Sequence, residues 1–431
     1  MEEKLRSFRD ILSRVSKVES RTGTISFPNR LSQEHHEKVE RKGIGHPDTL
    51  ADALATAICR SYCSYTVERF GLILNHNFDK FGFMGGRTKV DLGGGEVTSP
   101  IRILLNGRAS GCFGNERIPV RDIFETATRE LMTSRFPMLE FDKDCKVMWE
   151  VRDDSTSGEV MNDDSPSRRP FWYRPRSAQD VEYIQEYIAN DMSTGFGYSP
   201  MNPLAKLVLD LEKYLSSDLY KRDKPWLGSD IKTTAVRDYS RVFISIVVPQ
   251  ICGHVASVAD YSSNLERVRE DIVSFSTARQ ADWNFDIAIN TRDRLDRGGL
   301  ELYLTHTGSC VEMGDEGFVG RGNRANGVIE MYRPYSMEAP CGKNPAYSIG
   351  FVYTEAAQRI SERLMKDLGL KTEVSLTSQN ARKILDPWHI SIASEFGMEL
   401  PREEVTSLVH SELDRIPDIP IDFIEGKITP Y

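Results

Sequence analysis

The stretch "ERKGIGHPDTLADALATAICRSYC", Glu40 to Cys63, constrains the fold of this chain more than any other. From Asp48 onward, Leu50, Ala53, Leu54, Ala57, Ile58, Tyr62 and Tyr65 recur at helical spacing, and Gly71 ends the run. Two β-rich segments follow, "GLILNHNF" and "PIRILLNGRA". Between them lies "GGRTKVDLGGGEVTSP", whose successive glycines Gly93 to Gly95 suit a backbone that approaches another group closely. Further along, "LAKLVLDLEKYLSSDLY" and "FVYTEAAQRISERLMKDLG" read as amphipathic helices. "RVFISIVVPQI", "WNFDIAIN", "ELYLTHTG" and "TEVSLTS" read as strands. Sheets and helices therefore recur throughout, with neither strict strand–helix alternation nor a dinucleotide-binding glycine fingerprint. The expectation is an α+β fold; no sequence repeat is visible, but three similar units fit the pattern.

Size supports that count, since 431 residues correspond to about three domains at roughly 150 each. No apolar run reaches the roughly 20 residues of a membrane helix. The start, "MEEKLRSFRDILSRVSKVESRTG", lacks an apolar signal region and reads as a short amphipathic helix within an appended extension, residues 1–30. Residues 31–431 form the main region. The polar, aperiodic stretch at 152–172 reads as a mobile insertion. The 64 acidic and 55 basic residues leave a net charge of −9, and the cations are scattered, so no nucleic-acid surface is expected. An acidic chain can still hold a polyanion by focusing cations in one cleft. Seven cysteines in no metal-ligand spacing fit a reducing cytoplasm, with Cys59 and Cys63 on one helix face as small core residues.

Five clusters could carry chemistry. His46-Pro47-Asp48 is either a capped turn or a helix tip where partial positive charge meets a phosphate, with His46 donating to it and Asp48 holding Mg²⁺. "GDEGFVGRGNRANG" places five glycines around Arg321 and Arg324; guanidinium forks suit phosphate oxygens, although an ordinary turn reads the same way. "APCGKNPAYSIG" sets Lys343 in a turn with no Walker spacing. "GSDIKTTAVRD" puts Asp230 and Lys232 on the same face of a strand. "ANDMSTGFGYSP" sets Asp191 before a glycine-rich turn.

Singly these signals are weak, but their order is specific. "GHPDTLAD", "GGGEVTSPI", "NDMSTGFGYSP", "GSDIK", "EMGDEGFVGRGNRANG" and "SMEAPCGKNP" together resemble the S-adenosylmethionine synthetase family, in its archaeal-type branch, from about Val39 to Asp386. The resemblance implies three similar sheet-plus-helix domains around a pseudo-threefold axis, and a homodimer with active sites at the subunit interface. It implies that methionine sulfur attacks C5′ of ATP and expels tripolyphosphate, which is then cleaved. By the same resemblance His46 would contact the triphosphate near its bridging oxygen, and Asp48 would bind Mg²⁺, one of two such ions. Lys232, Arg321 and Lys343 would neutralise the triphosphate, and Asp230 would hold the ribose hydroxyls. Glu96 and Asp315 would receive the methionine ammonium, with Asp191 nearby, and K⁺ is used by many members. Gly322 follows Arg321 where other branches carry a second cation, which leaves that charge to Arg324. The branch usually continues "GKNP" with Asn, His and a nearby Lys, whereas this chain has Tyr347, Ser348 and Phe351. That departure keeps two alternatives open: a relative adenosylating another thioether, or a nucleotide-binding pseudoenzyme that pairs with a true synthetase.

Overall fold

The computed structural model describes residues 1–15, 24–26, 29–30, 35–153, 171–297, 301–336, 338–395 and 400–431. Most of the expected insertion at 152–172 lies outside them. The helix announced by the sequence spans Pro47–Phe70, begins with Pro at its first turn and stops at Gly71 in the left-handed region (φ 76°). The sequence pattern marks one apolar face, yet Pro47 to Thr56 are buried without interruption. Alanines at 51, 53 and 55 let neighbours close around the first half of this helix on every side.

The described residues form three five-stranded sheets. The first joins strands His36–Lys42, Lys232–Asp238, Arg241–Val247, Asn284–Ile289 and Ile329–Glu330. The second joins His76–Asn77, Gly82–Met84, Ile101–Ala109, Cys145–Arg152 and Gly317–Phe318. The third joins Thr24–Ser26, Asn29–Arg30, Thr194–Ser199, Thr372–Thr377 and His389–Glu395. Each sheet mixes early and late parts of the chain, so the units interleave. Alternating burial along Arg241–Val247 shows one face of the first sheet packed and one turned out.

Two apolar cores result. The larger gathers helices Pro47–Phe70 and Ile349–Leu368 with the second and third sheets, and the smaller sets helices Pro203–Ser216 and Val258–Arg279 on the first sheet. Buried Arg41 and Glu212 pair at 2.8 Å between strand and helix. The amphipathic start is helix Glu2–Val15, whose Leu5, Phe8 and Leu12 enter the larger core, with Phe8 edge-on to Tyr183. No helix among the described residues is long and apolar enough to cross a membrane.

Two strand expectations shrink. "GLILNHNF" contributes only His76–Asn77, and "ELYLTHTG" only Leu304–Thr305. Most of their apolar residues are buried, but the flanking backbone groups bond to loops: Phe78 N–H donates to Gly342, and Ser110 N–H to Asn75. Apolar alternation reports burial, while pairing depends on what lies alongside.

Candidate active site

The helix tip is built by contact between distant segments. A side chain at Gly317 would sit 2.5 Å from the Asp48 nitrogen and nearer still to the Pro47 carbonyl, so only glycine lets strand Gly317–Phe318 lie against the start of the helix. Phe318 N–H then donates to Asp48 Oδ1 at 3.1 Å, and the glycine loop bearing Arg321 is docked on the tip. Arg321 Nε lies 3.9 Å from Asp48 Oδ1, with most of its side chain in solvent.

Antiparallel pairing of His36–Lys42 with Lys232–Asp238 places Lys42 directly opposite Lys232. Like charges in register repel, and Glu40 stands between them, 3.3 Å from Lys232 and 4.0 Å from Lys42. Lys42 Nζ also donates to Asp48 Oδ2 (2.9 Å) and to the Arg321 carbonyl (2.6 Å). His46 caps the helix, its Nδ1 accepting the Asp48 N–H at 3.2 Å. Burial lowers the His46 pKa against the opposing pull of Asp230 and Asp48. A neutral ring whose Nδ1 accepts carries its proton on Nε2, ready to donate.

Asp230 precedes the strand that begins at Lys232, so the two do not share a strand face as expected. It is buried and accepts from the Cys310 N–H (3.0 Å) and thiol (2.7 Å), and Cys310 Sγ is also 3.1 Å from Asp315. Burial raises the Asp230 pKa, with the His46 charge opposing. Burial and the two carboxylates push the Cys310 thiol far up, so it stays protonated as a donor. His46, Asp48, Asp230, Lys232, Asp315 and Arg321 thus form one group.

Lys343 belongs to a second group. Its Nζ donates to Asp79 (2.9 Å) and Glu338 (2.6 Å), and it lines a polar cavity of about 220 Å³ with Asp191, Asn190 and Ser193. Asp191 is exposed at the edge, its carboxylate accepting from Met192 N–H. Among the described residues no hydrogen bond or ion pair joins the two groups. Glu96 is exposed on the hairpin Arg87–Asp91/Gly94–Ser99 opposite Lys89 and, among the described residues, has no hydrogen bond or ion pair to either group. Arg324 turns away from Arg321: its guanidinium covers the Tyr335 ring at 4.1 Å and donates to the Gly320 carbonyl. The aromatic surface captures the cation that the sequence assigned to phosphate.

Sequence reasoning passed over Lys42, Glu40, Asp79, Cys310 and Asp52. Lys42 was findable as the cross-strand partner of Lys232. Asp52, four residues after Asp48 within the quoted "HPDTLAD", was findable as its neighbour one turn along. It is buried, its pKa is pushed up to about 7 by desolvation, and Oδ1 accepts from Gly320 N–H at 2.8 Å.

A family model for S-adenosylmethionine synthetase (AdoMet synthetase) matches residues 25–427. The chain is 34% identical over 402 residues to the S-adenosylmethionine synthase of Thermoplasma acidophilum, spanning 92% of this chain and 95% of that one. It is 34% identical over 418 residues to that of Hyperthermus butylicus, spanning 93% and 97%. Among solved structures, an unusual S-adenosylmethionine synthetase from Campylobacter jejuni shares the fold, with a TM-score of 0.54 at 14% identity, covering 90% of this chain and 93% of that one. Sequence match and fold agree across nearly the whole described chain, which belongs to the S-adenosylmethionine synthetase family.

Proposed function

We propose that this protein is a methionine adenosyltransferase, joining ATP and L-methionine to give S-adenosylmethionine, pyrophosphate and phosphate. The observation that carries the reading is the group at the helix tip, where His46, Lys42, Lys232 and Arg321 gather cations and one neutral donor beside two buried carboxylates. In the reaction, a bond forms from the methionine sulfur to C5′ and the C5′–oxygen bond breaks, its electron pair leaving with the triphosphate. A thioether sulfur has no proton to lose, so the site needs no general base. It needs positive charge and donors aimed where the leaving oxygen becomes anionic.

His46 Nε2–H would donate at that bridging oxygen, and Lys232 and Arg321 would face the outer phosphates. Asp230 would orient the ribose hydroxyls, and Asp315, with Glu96, would receive the methionine ammonium. Lys343 and Asp191 would complete the site from the second group. Because one chain holds the two groups apart, we read the working enzyme as a homodimer in which each site takes one group from each subunit. The donor set also fits a hard divalent ion: Asp48 offers carboxylate oxygens beside Glu40, and Lys42 would yield its place on Asp48 Oδ2. Mg²⁺ bound there supplies charge against the phosphate oxygens. A second Mg²⁺ and K⁺ rest on the family resemblance alone. A cytoplasmic setting belongs to the same proposal, supported by seven free cysteines.

One observation favours a relative with another thioether substrate. Tyr347, at a departure from the family pattern, stacks on Tyr183 (5.6 Å) and lines a cavity with Trp172 and Tyr173 that shares Asn190 with the Lys343 cavity. Incubation with ATP, Mg²⁺, K⁺ and either L-methionine or its S-alkyl analogues, followed by mass spectrometry, tests both readings. S-adenosylmethionine as the main product supports the first. An analogue product made faster supports the second, and nucleotide binding with no sulfonium product refutes both.

A further inference from the structure

Behind the turn that carries Lys343, the larger core holds three side chains that apolar packing does not require. Cys59 and Cys63 lie one turn apart on the helix Pro47–Phe70, and His76 reaches them from the strand His76–Asn77. All three are fully or almost fully buried. His76 Nε2 is 3.0 Å from Cys59 Sγ and 3.7 Å from Cys63 Sγ, and the three atoms lie within 4.8 Å of one another. On the far side of the ring, Nδ1 meets the Leu74 carbonyl at 2.9 Å. With a proton on Nδ1 donated to that carbonyl, Nε2 would be unprotonated, the arrangement a metal-binding imidazole needs.

The spacing is that of a coordination sphere. Zinc–sulfur bonds of about 2.3 Å and zinc–nitrogen bonds of about 2.0–2.1 Å, at tetrahedral angles, set sulfur and nitrogen roughly 3.5 Å apart. The two sulfur–nitrogen separations bracket that figure, and the three atoms would supply three of the four positions of a tetrahedral ion. Charge selects among thiophilic cations. Two thiolates and a neutral imidazole around a divalent ion sum to zero, which an interior walled by Tyr62 and Phe78 can hold; a monovalent ion would leave a net negative charge there.

We propose that Cys59, Cys63 and His76 form a structural zinc site that fixes the Lys343 turn from behind. On binding, the two thiols release two protons to solvent and two Zn–S bonds and one Zn–N bond form, with no change of oxidation state. The site adjoins the turn directly: Cys59 Sγ is 3.4 Å from the Lys343 carbonyl, and Asn344 contacts both the Leu74 carbonyl and His76 Nδ1 at 3.1 Å. The strand bearing His76 also bridges to the turn, Asn77 pairing with Lys343. The inference does not depend on which reaction the chain performs.

The test is metal analysis of the full-length protein purified without chelator. About one zinc per chain is expected, lost in Cys59→Ala and in Cys63→Ala but kept in Cys252→Ala, a buried free cysteine in the other core. Protein produced with cobalt should show thiolate-to-cobalt charge-transfer absorption, a readout that needs no variant and survives if the alanine chains fail to fold. Folded protein that lacks zinc and shows no such absorption overturns the proposal, as does zinc retained at the parent ratio in both Cys59→Ala and Cys63→Ala.

Discussion

Gly317→Ala tests whether strand Gly317–Phe318 sets the geometry of the helix tip. The added Cβ would lie 2.5 Å from the Asp48 nitrogen, with the Pro47 carbonyl closer still, while ordinary contact begins near 3.4 Å. Both obstacles are backbone, so no flexible side chain can absorb the overlap, and strand and helix must separate by roughly 0.9 Å or more at that nitrogen. The Phe318-to-Asp48 hydrogen bond, already 3.1 Å, would stretch beyond use. Overpacking of this kind costs about 1–3 kcal/mol of stability. A displacement near 1 Å of groups that position a reaction costs about 100-fold in rate. Initial rates of S-adenosylmethionine formation by liquid chromatography, with calorimetric unfolding, measure both effects. Gly94→Ala is the control, since its Cβ would meet nothing within 4 Å. A Gly317→Ala protein with parental kcat and Tm would refute the claim that this contact sets the site.

Lys343→Met should remove most turnover while leaving the fold intact, at a cost of about 1–3 kcal/mol because buried Asp79 loses one of its two lysine partners and keeps Lys80; near-parental turnover would take Lys343 out of the site. Asp52 holds its proton up to about pH 7 when folded, against an ordinary value of 3.8, so the folded chain binds the extra proton between them and stability falls as pH rises. That difference corresponds to about 4 kcal/mol, and Asp52→Asn should flatten the denaturant-derived stability profile between those values; an unchanged slope counts against the raised pKa. Leu12→Ala should lower stability by about 2–5 kcal/mol with kcat unchanged, because Leu12 is fully buried in the larger core and belongs to neither group; loss of kcat in protein still folded at the assay temperature would tie the N-terminal helix to the chemistry.

What the sequence disclosed, and what it withheld, follow from the range of the interactions. The helix Pro47–Phe70 was legible because its periodicity, first-turn proline and terminal glycine are all local. The same holds for the amphipathic helix Glu2–Val15. The group at the tip was legible residue by residue through His46, Asp48, Lys232 and Arg321, because the family resemblance named them. Lys42 was missed because its meaning lies in register with Lys232, a non-local fact. The contact of the Arg324 guanidinium with the Tyr335 ring was not legible, because a loop does not disclose which side chain will lie under it. The burial of Asp52 and the neighbourhood of His76 and Cys59 likewise exist only once the sheets close.

The interleaved sheets also bear on synthesis. Strand His36–Lys42 finds its neighbour only when the segment holding Arg237, 200 positions beyond Glu37, has emerged from the ribosome. At about 5–20 residues per second, an early β-segment waits roughly 10–40 seconds with its edges bare. Nascent chains of this protein should therefore occupy holdase chaperones through much of translation, and no stop codon placed before Asp238 should leave a soluble remnant.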